Sequence, residues 1–423
     1  MLDARSRRLQ RTGLWQNPDF LKLWAGQTVS EFGSRITRDG LPLVAVLTLG
    51  ATPAEMGILT AAGSLPVVLF SLVAGVWVDR LRRRPVLIAA DLARALLLLA
   101  VPAAALLGRL RIEHLYIIAG LIGFFTLLFN VAYQAFLPFL VERKHLIEGN
   151  SKLALSSSLA ELGAPELAGV LIQVFTAPMA ILIDSLTFLA SVASIVVIRK
   201  PEPLPAPPEN RRPASEELRE GLRLVFDNRV LRALALAAGT RQFFGAFFGV
   251  LYSLFAIREL GLGPIALGFT IAAGGAGELL GALIAGPAVR RFGLGRTMLA
   301  AWVLSSLFML LIPLAGGPFT VILAMMMASQ VFGDGLRSVY DINEVSLRQA
   351  ITPDRLLGRA NASVQVLVAG IAPLGALIGG WLGTTVGVRP TLLIAIGGIF
   401  LAGLWLLFSP VPGLMAYPDG EEK

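Results

Sequence analysis

The chain has 423 residues, 55% of them hydrophobic and 15% charged, with a mean hydropathy of +0.73. Soluble domains carry roughly a quarter charged residues, so a soluble enzyme is the first class excluded; at about 20 apolar residues per bilayer crossing, the length supplies about twelve transmembrane helices and no large extra domain. The 36 basic and 28 acidic residues give a net charge of +8, but the basic residues fall in alternate loops, a pattern of membrane topology and not of nucleic-acid binding.

Arg5, Arg7, Arg8 and Arg11 precede the first apolar run, and Asp19 and Lys22 interrupt what a cleavable leader would keep apolar, so the first span is expected to be retained. Hydrophobic runs and breakers predict spans 1 to 6 over 23–49, 54–78, 85–107, 115–140, 153–175 and 178–198. Residues 201–213, rich in proline and charge, read as an extended linker. A short helix capped by Ser215 follows, with an apolar stripe of Leu218, Leu222 and Val225 that suits the cytoplasmic membrane surface. Spans 7 to 12 are predicted over 231–257, 264–289, 297–313, 319–347, 361–385 and 390–408. Three domains are therefore expected: a six-helix half over 1–198, a cytoplasmic linker over 199–229 and a second half over 230–423. Basic residues recur after every second span, as in Arg143, Lys144 and Lys152 after the fourth and Arg290, Arg291 and Arg296 after the eighth. Both termini are thus expected in the cytoplasm, with the chain as a multi-pass protein of the inner membrane.

The halves repeat. A shift of 211 positions lays Asn17 on Asn228, Gly57 on Gly268, Gly63 on Gly274, Gly75 on Gly286, Arg80 on Arg291 and Asn150 on Asn361, and it sets Phe129-Asn130 on Tyr340-Asp341. Two pseudo-symmetric six-helix halves are a transporter architecture, with the substrate site expected between them near mid-membrane.

The run Gly75-Val76-Trp77-Val78-Asp79-Arg80-Leu81-Arg82-Arg83-Arg84 resembles the signature between spans 2 and 3 of the major facilitator superfamily, with Arg82 where that family usually has glycine. A weaker copy, Gly286 to Gly293, keeps the glycine and has Arg290 in place of the aspartate. The runs 79–85, 132–138 and 346–359 resemble, more narrowly, the drug-efflux branch that contains macrolide and enterobactin exporters. The resemblance implies the all-α major facilitator fold and alternating access. It also implies proton-driven export, and makes Gly75, Asp79, Arg80, Arg83 and Arg84 a gating motif. Span 5 carries Gly163-Ala164-Pro165-Glu166-Leu167-Ala168-Gly169, a degraded likeness of the antiporter signature of that family.

Charges inside the spans need pairing or water, since each costs about 2.5–3.5 kcal/mol at mid-bilayer on insertion scales. Span 1 holds Glu31, Arg35, Arg38 and Asp39, of which Glu31, Arg35 and Asp39 share one helical face with alternating sign. Span 10 repeats the device with Asp334, Arg337, Asp341 and Glu344; Arg241 sits in span 7, and Asn130 and Gln134 share a face of span 4. The resemblance places spans 1, 4, 7 and 10 around a central cavity, so Arg35, Arg38, Asn130, Gln134, Arg241, Asp334, Arg337 and Glu344 are its expected lining. Glu31, Asp39, Glu278 and Asp341 are the expected proton carriers. Glu161, Glu166, Asp184 and Glu278 read as isolated carboxylates, and Asp91 and Arg94 as a structural pair. Gly277-x-x-x-Gly281 and Gly379-x-x-x-Gly383 read as helix-packing motifs.

With no cysteine and only His114 and His145, no thiolate zinc site, iron–sulfur cluster or histidine-rich centre is expected, and no cofactor or metal is called for. The expected function is secondary, proton-coupled efflux of a small amphipathic compound by a protein acting as a monomer, with the substrate, protons and the bilayer as its partners. The alternatives are a lysophospholipid-type or symport transporter on the same fold, or a non-transporting membrane sensor or enzyme.

Overall fold

The computed structural model describes residues 13–202 and 214–418, apart from the side chains of Leu72, Val76, Asp79, Ala214, Ser215, Glu217, Asp354 and Arg355. Expectations that rest on Arg5, Arg7, Arg8, Arg11, the side chain of Asp79 or the Ser215 cap therefore lie outside the described residues. Among the described residues there is no strand, and helices follow one another in the expected order. Spans 1 to 6 are Pro18–Leu43 continued by a π turn at Val44–Thr48, Pro53–Asp79, Arg83–Leu106, Ile112–Leu140, Leu146–Val174 and Ala177–Val196. Spans 7 to 9 are Arg229–Leu254 with a π turn at Phe255–Glu259, Pro264–Phe292, and Leu294–Met309 extended by Leu311–Leu314. Span 10 runs from Phe319–Ala328 through a π turn at Ser329–Asp334 into Gly335–Ile351, and spans 11 and 12 are Asp354–Thr385 and Val388–Leu407.

The chain divides into two compact units, one of Met1–Leu49 and Leu69–Glu209, the other of Gly50–Val68 and Asn210–Lys423. In the first, span 1 packs on spans 5 and 6 while span 3 packs on spans 4 and 6. In the second, span 7 packs on spans 11 and 12, span 9 on spans 10 and 12, and span 8 on span 10. Residues 50–68 belong to the second unit because the start of span 2 lies against span 11. The Ala54 amide donates to Thr384 Oγ1 at 3.0 Å, and a Cβ on Gly57 would stand 2.7 Å from the Ala376 carbonyl oxygen.

The 211-residue shift carries local geometry as well as sequence. Asn17 caps span 1 by accepting from the Asp19 and Phe20 amides at 3.1 and 3.0 Å, and Asn228 caps span 7 by accepting from Val230 and Leu231 at 2.9 and 3.1 Å. The π turns at Val44–Thr48 and Phe255–Glu259 are related by that shift, and so are the turns that follow them at Gly50 and Gly261, each with φ of 67°. Six buried side chains of the first core, Leu23, Leu87, Ala90, Phe129, Phe136 and Ile195, fall by the same shift on Leu234, Met298, Ala301, Tyr340, Leu347 and Leu406 of the second. The amides that open spans 3 and 9 are satisfied from corresponding stretches. Arg83 and Arg84 donate to the Glu202 carboxylate at 2.6 and 3.0 Å, while Leu294 and Gly295 donate to the Met415 and Leu414 carbonyls at 3.2 and 2.8 Å.

Two sequence readings change here. The helix Ala214–Asp227 does not simply lie on a membrane surface: it packs on spans 11 and 7, with Val225 buried among Leu231, Ala235, Ala360 and Val364. Glu220 pairs with Arg359, and Ser363 Oγ donates to the Leu218 carbonyl at 3.2 Å. Its polar groups thus anchor it to protein where amphipathicity alone suggested lipid. The second change is at helix starts. Span 1 begins at Pro18 and not near 23, because Asn17 supplies a cap and Asp19 accepts from Lys22 and from the amides of Arg199 and Lys200. The glycines of span 8 act as expected: a Cβ on Gly277 or Gly281 would overlap the Val331 or Gly335 carbonyl of span 10.

If the two asparagine caps are equivalent, Asn17→Ala and Asn228→Ala each destabilise the protein by about 1 kcal/mol. Unfolding in mixed micelles measures both, and a loss at only one cap would show that the repeat does not extend to its energetics.

Candidate functional site

Among the described residues ten helical stretches are long and apolar enough to cross a membrane on composition alone, and spans 1 and 5 are not among them. Span 1 carries Glu31, Arg35, Arg38 and Asp39, and span 5 carries Glu148, Lys152, Glu161 and Glu166. Packing side by side, they neutralise each other. Glu161 accepts from Arg38 at 2.9 Å and pairs with Arg35, which also bonds Glu31 at 3.2 Å; Ser157 Oγ donates to the same Glu31 oxygen at 3.2 Å. Asp39 has only a 3.6 Å approach from Arg38, and its second carboxylate oxygen is buried with no hydrogen-bond partner. Of the expected span 1 ladder the Glu31–Arg35 rung is made, while Asp39 faces Arg38 and not Arg35, and Glu161 of span 5 is the hub of the network. The reading of Glu161 as isolated fails because its cations lie on another helix, 123 and 126 positions away in sequence, where a helix-neighbour search does not reach.

A second cluster in the same unit is fully internal. Asp91 pairs with Arg94 and accepts from Ser191 at 2.6 Å, Gln27 Nε2 donates to Ser191 at 2.9 Å, and the Arg94 guanidinium lies over Phe129 and Phe188 at 4.4 and 4.2 Å. Enclosure by two rings agrees with the structural role expected for the pair. Asp184 accepts from Thr187 at 2.9 Å through the oxygen beside Gly33 of span 1 and keeps its other oxygen buried without a partner among the described residues.

In the second unit Arg337 bridges Glu278 of span 8 and Asp334 of the span 10 π turn, at 3.2 Å from the latter. Glu278 is thus not isolated either. Gly274 leaves the room that Asp334 fills, since a Cβ there would overlap its carboxylate. Arg241 of span 7 donates to Asp341 at 2.7 Å, with its guanidinium 5.5 Å from the Tyr340 ring and 5.6 Å from that of Trp302. Glu344 is buried and faces Arg348 at 3.5 Å. Asn130 and Gln134 are exposed on one face of span 4 without hydrogen-bond partners among the described residues.

In the run Gly75–Arg84, Arg84 donates to the Val196 carbonyl, Arg83 stands 3.9 Å from Glu202, Arg80 is exposed and the space beside Gly75 is open. Glu202 was missed by sequence reasoning, which assigned it to an extended linker. Its signal is weak, a lone glutamate between Pro201 and Pro203. Among the described residues no group of three His, Asp or Glu is disposed to hold a metal ion.

The Arg35–Glu161 pair ties together two helices that are less apolar than the ten candidate spans, so a double-mutant cycle on it should give a coupling of about 1 kcal/mol or more. The exposed i,i+4 pair Arg223–Asp227 should give about 0.3 kcal/mol. Equal couplings would mean that the span 1–span 5 network adds nothing to the fold.

Residues 14–419 match the sequence profile of the transmembrane secretion effector family. The multidrug efflux pump Tap of Mycolicibacterium fortuitum is 28% identical over 94% of this chain and 97% of its own length. Macrolide efflux protein A of Streptococcus pyogenes is 24% identical over 89% and 92%. In three dimensions the chain resembles the nucleoside transporter NupG, at TM-score 0.68 and 13% identity over 92% and 98% of the two chains. A bacterial homologue of the iron transporter ferroportin matches at TM-score 0.69 and 17% identity over 92% and 98%. Profile, relatives and fold agree over nearly the full length: this chain is a membrane transporter of the major facilitator superfamily and belongs to its transmembrane secretion effector family.

Proposed function

We propose that the protein exports a small amphipathic, preferably cationic compound from the cytoplasm in exchange for protons, with Asp39 as the coupling acid and the Arg35–Glu161–Arg38 network as its switch. The observation that carries this reading is the unequal commitment of the four candidate acids. Glu31 is held by Arg35 and Ser157, Glu278 by Arg337 and Asp341 by Arg241, whereas Asp39 has one long contact and one buried oxygen without a partner. An acid that must both bind and yield a proton is best left outside a strong ion pair, because a full salt bridge holds it ionised. A cation entering beside Asp39 would stabilise its charged form and release the proton; loss of the cation on the far side would allow the proton back. Binding of each ligand then lowers the affinity for the other, which is antiport. Two relatives named as efflux pumps, matched over most of their length, support the export direction.

The chain acts as a monomer in this reading and transports by alternating access. Both termini and the linker face the cytoplasm in this reading, which the alternation of basic loops supports.

Purified protein in liposomes tests coupling. Addition of a fluorescent lipophilic cation should release protons from the parent, Asp39→Asn should lose that release and uphill export yet retain downhill exchange, and Glu161→Gln should slow both. Proton release from Asp39→Asn equal to the parent's would remove Asp39 from the coupling path. Because the chain has no cysteine, orientation is read by single introduced thiols. In intact cells Gly108→Cys should react with an impermeant maleimide and Lys144→Cys should not, and the reverse pattern would overturn the export direction.

A further inference from the structure

A cavity of about 570 Å³ opens where span 7 begins and span 12 ends. Arg229, Arg232, Leu236, Trp405, Phe408 and Ser409 line it. Neither arginine has an ion-pair partner among the described residues; the nearby Asp227 is held by Arg223 at 3.7 Å, and Arg232 is steadied only by the Phe226 carbonyl at 3.2 Å. Trp405 Nε1 donates to Thr240 Oγ1 at 3.2 Å, which fixes the indole in the groove wall, and Phe408 is 84% exposed. One end of the groove is thus doubly cationic and the other aromatic and aliphatic.

The internal repeat supplies a contrast, since the corresponding helices of the first half come into close contact at the equivalent position. Shifted by 211 positions, Arg229, Arg232 and Trp405 correspond to Pro18, Leu21 and Ser194. There Gly26 lets span 1 close onto span 6, where an added Cβ would overlap the Ser194 side chain, and Lys22 spends its charge on Asp19 at 2.8 Å and the Val197 carbonyl at 2.9 Å. The fold does not need the groove, and the second half has opened it, charged it twice and walled it with a tryptophan.

We propose that this groove holds an anionic phospholipid, its phosphate between Arg229 and Arg232 and an acyl chain along Leu236, Trp405 and Phe408. Paired arginines offer several donors to phosphate oxygens, the N-terminus of span 7 adds a favourable dipole, and an indole with a fixed polar edge suits the interface between headgroup and chain. A soluble anion would leave the apolar end uncovered, and a zwitterionic lipid would leave a second positive charge beside its choline. The site is independent of the transport reading. Only the leaflet that fills it, the cytoplasmic one, follows from the orientation proposed above.

The full-length protein, reconstituted in nanodiscs of phosphatidylglycerol and phosphatidylcholine in equal parts and then released into mild detergent, reports retained lipid by native mass spectrometry. The parent should keep phosphatidylglycerol in preference to phosphatidylcholine, and Arg229→Gln with Arg232→Gln should reduce that retention about tenfold or more. Arg143→Gln with Lys144→Gln, a basic pair in a loop expected on the same side, should leave it unchanged, and glycerol 3-phosphate at millimolar concentration should not displace the lipid. Equal retention of the two lipids by the parent overturns the proposal whether or not a variant folds. An equal loss in the Arg143/Lys144 variant, or displacement by glycerol 3-phosphate, overturns it as well, the first by reducing it to general surface charge and the second to free-anion binding.

Discussion

An ionised side chain inside a bilayer-spanning helix needs a partner or water, and pairing across neighbouring helices governs how both halves are built. Spans 1 and 5 fail as membrane helices on composition and succeed as a pair, because Arg35 and Arg38 meet Glu161 where the helices touch. Spans 8 and 10 do the same through Glu278, Arg337 and Asp334. The backbone accommodates the second cluster. Gly277 and Gly281 bring span 8 against span 10, the π turn at Ser329–Asp334 carries Asp334 toward Gly274, and the ion pair forms at a helix contact closer than larger residues would permit.

The scaffold is duplicated but its charges are not. Shifted by 211 positions, Glu31, Arg35, Asp39 and Glu161 become Gln242, Ala246, Val250 and Ala372, while Asp334, Arg337 and Glu278 become Gly123, Thr126 and Val67. Cap, turn and core positions persist across the same shift, so selection on the fold and selection on the charged sites have separated. The buried pair Asp91–Arg94 shows the difference from the other side. Its first position corresponds to Trp302, which packs on Tyr340 with ring centroids 4.7 Å apart and donates to the Ile399 carbonyl at 3.0 Å. One half fills this place with a paired charge against Phe129 and the other with an indole against the equivalent ring. That exchange is the one expected of a structural ion pair, which an apolar group of similar volume can replace without loss of the fold.

The repeat, the order of the spans and the ladder of span 1 were legible in the sequence, because each is carried by spacing along one helix or by one constant offset. Asn17 and Asn228 could be matched before their capping bonds were known. What could not be read was the partner of a charge on another helix. Glu161 and Glu278 look solitary in sequence, since their arginines lie 126 and 59 positions away. Glu202 looks like linker, since the amides it satisfies belong to span 3. The helix Ala214–Asp227 has the amphipathic pattern of a surface helix, and the pattern is silent on whether lipid or span 11 covers its apolar face. Helix starts came out late for a related reason: hydropathy marks where a span turns apolar, whereas a cap such as Asn17 starts the helix a turn or more earlier in polar sequence.

The location of these pairs bears on how such a protein could move. The Arg35–Glu161 network closes within the first unit, and the Arg241–Asp341 and Arg337–Glu278 pairs close within the second. Each of these networks is therefore completed by groups of its own unit. A ligand that drives the cycle must act through a group whose pairing is incomplete, because a ligand shifts an equilibrium only by its differential affinity for the two states. Completed salt bridges resist both protonation and replacement by substrate. Asp39, with its single 3.6 Å contact, completes no such bridge, and for that reason the proposed coupling rests on it. The dense network of spans 1 and 5 then has two tasks at once: it makes two polar helices acceptable to the bilayer, and it leaves one acid at its edge unsatisfied.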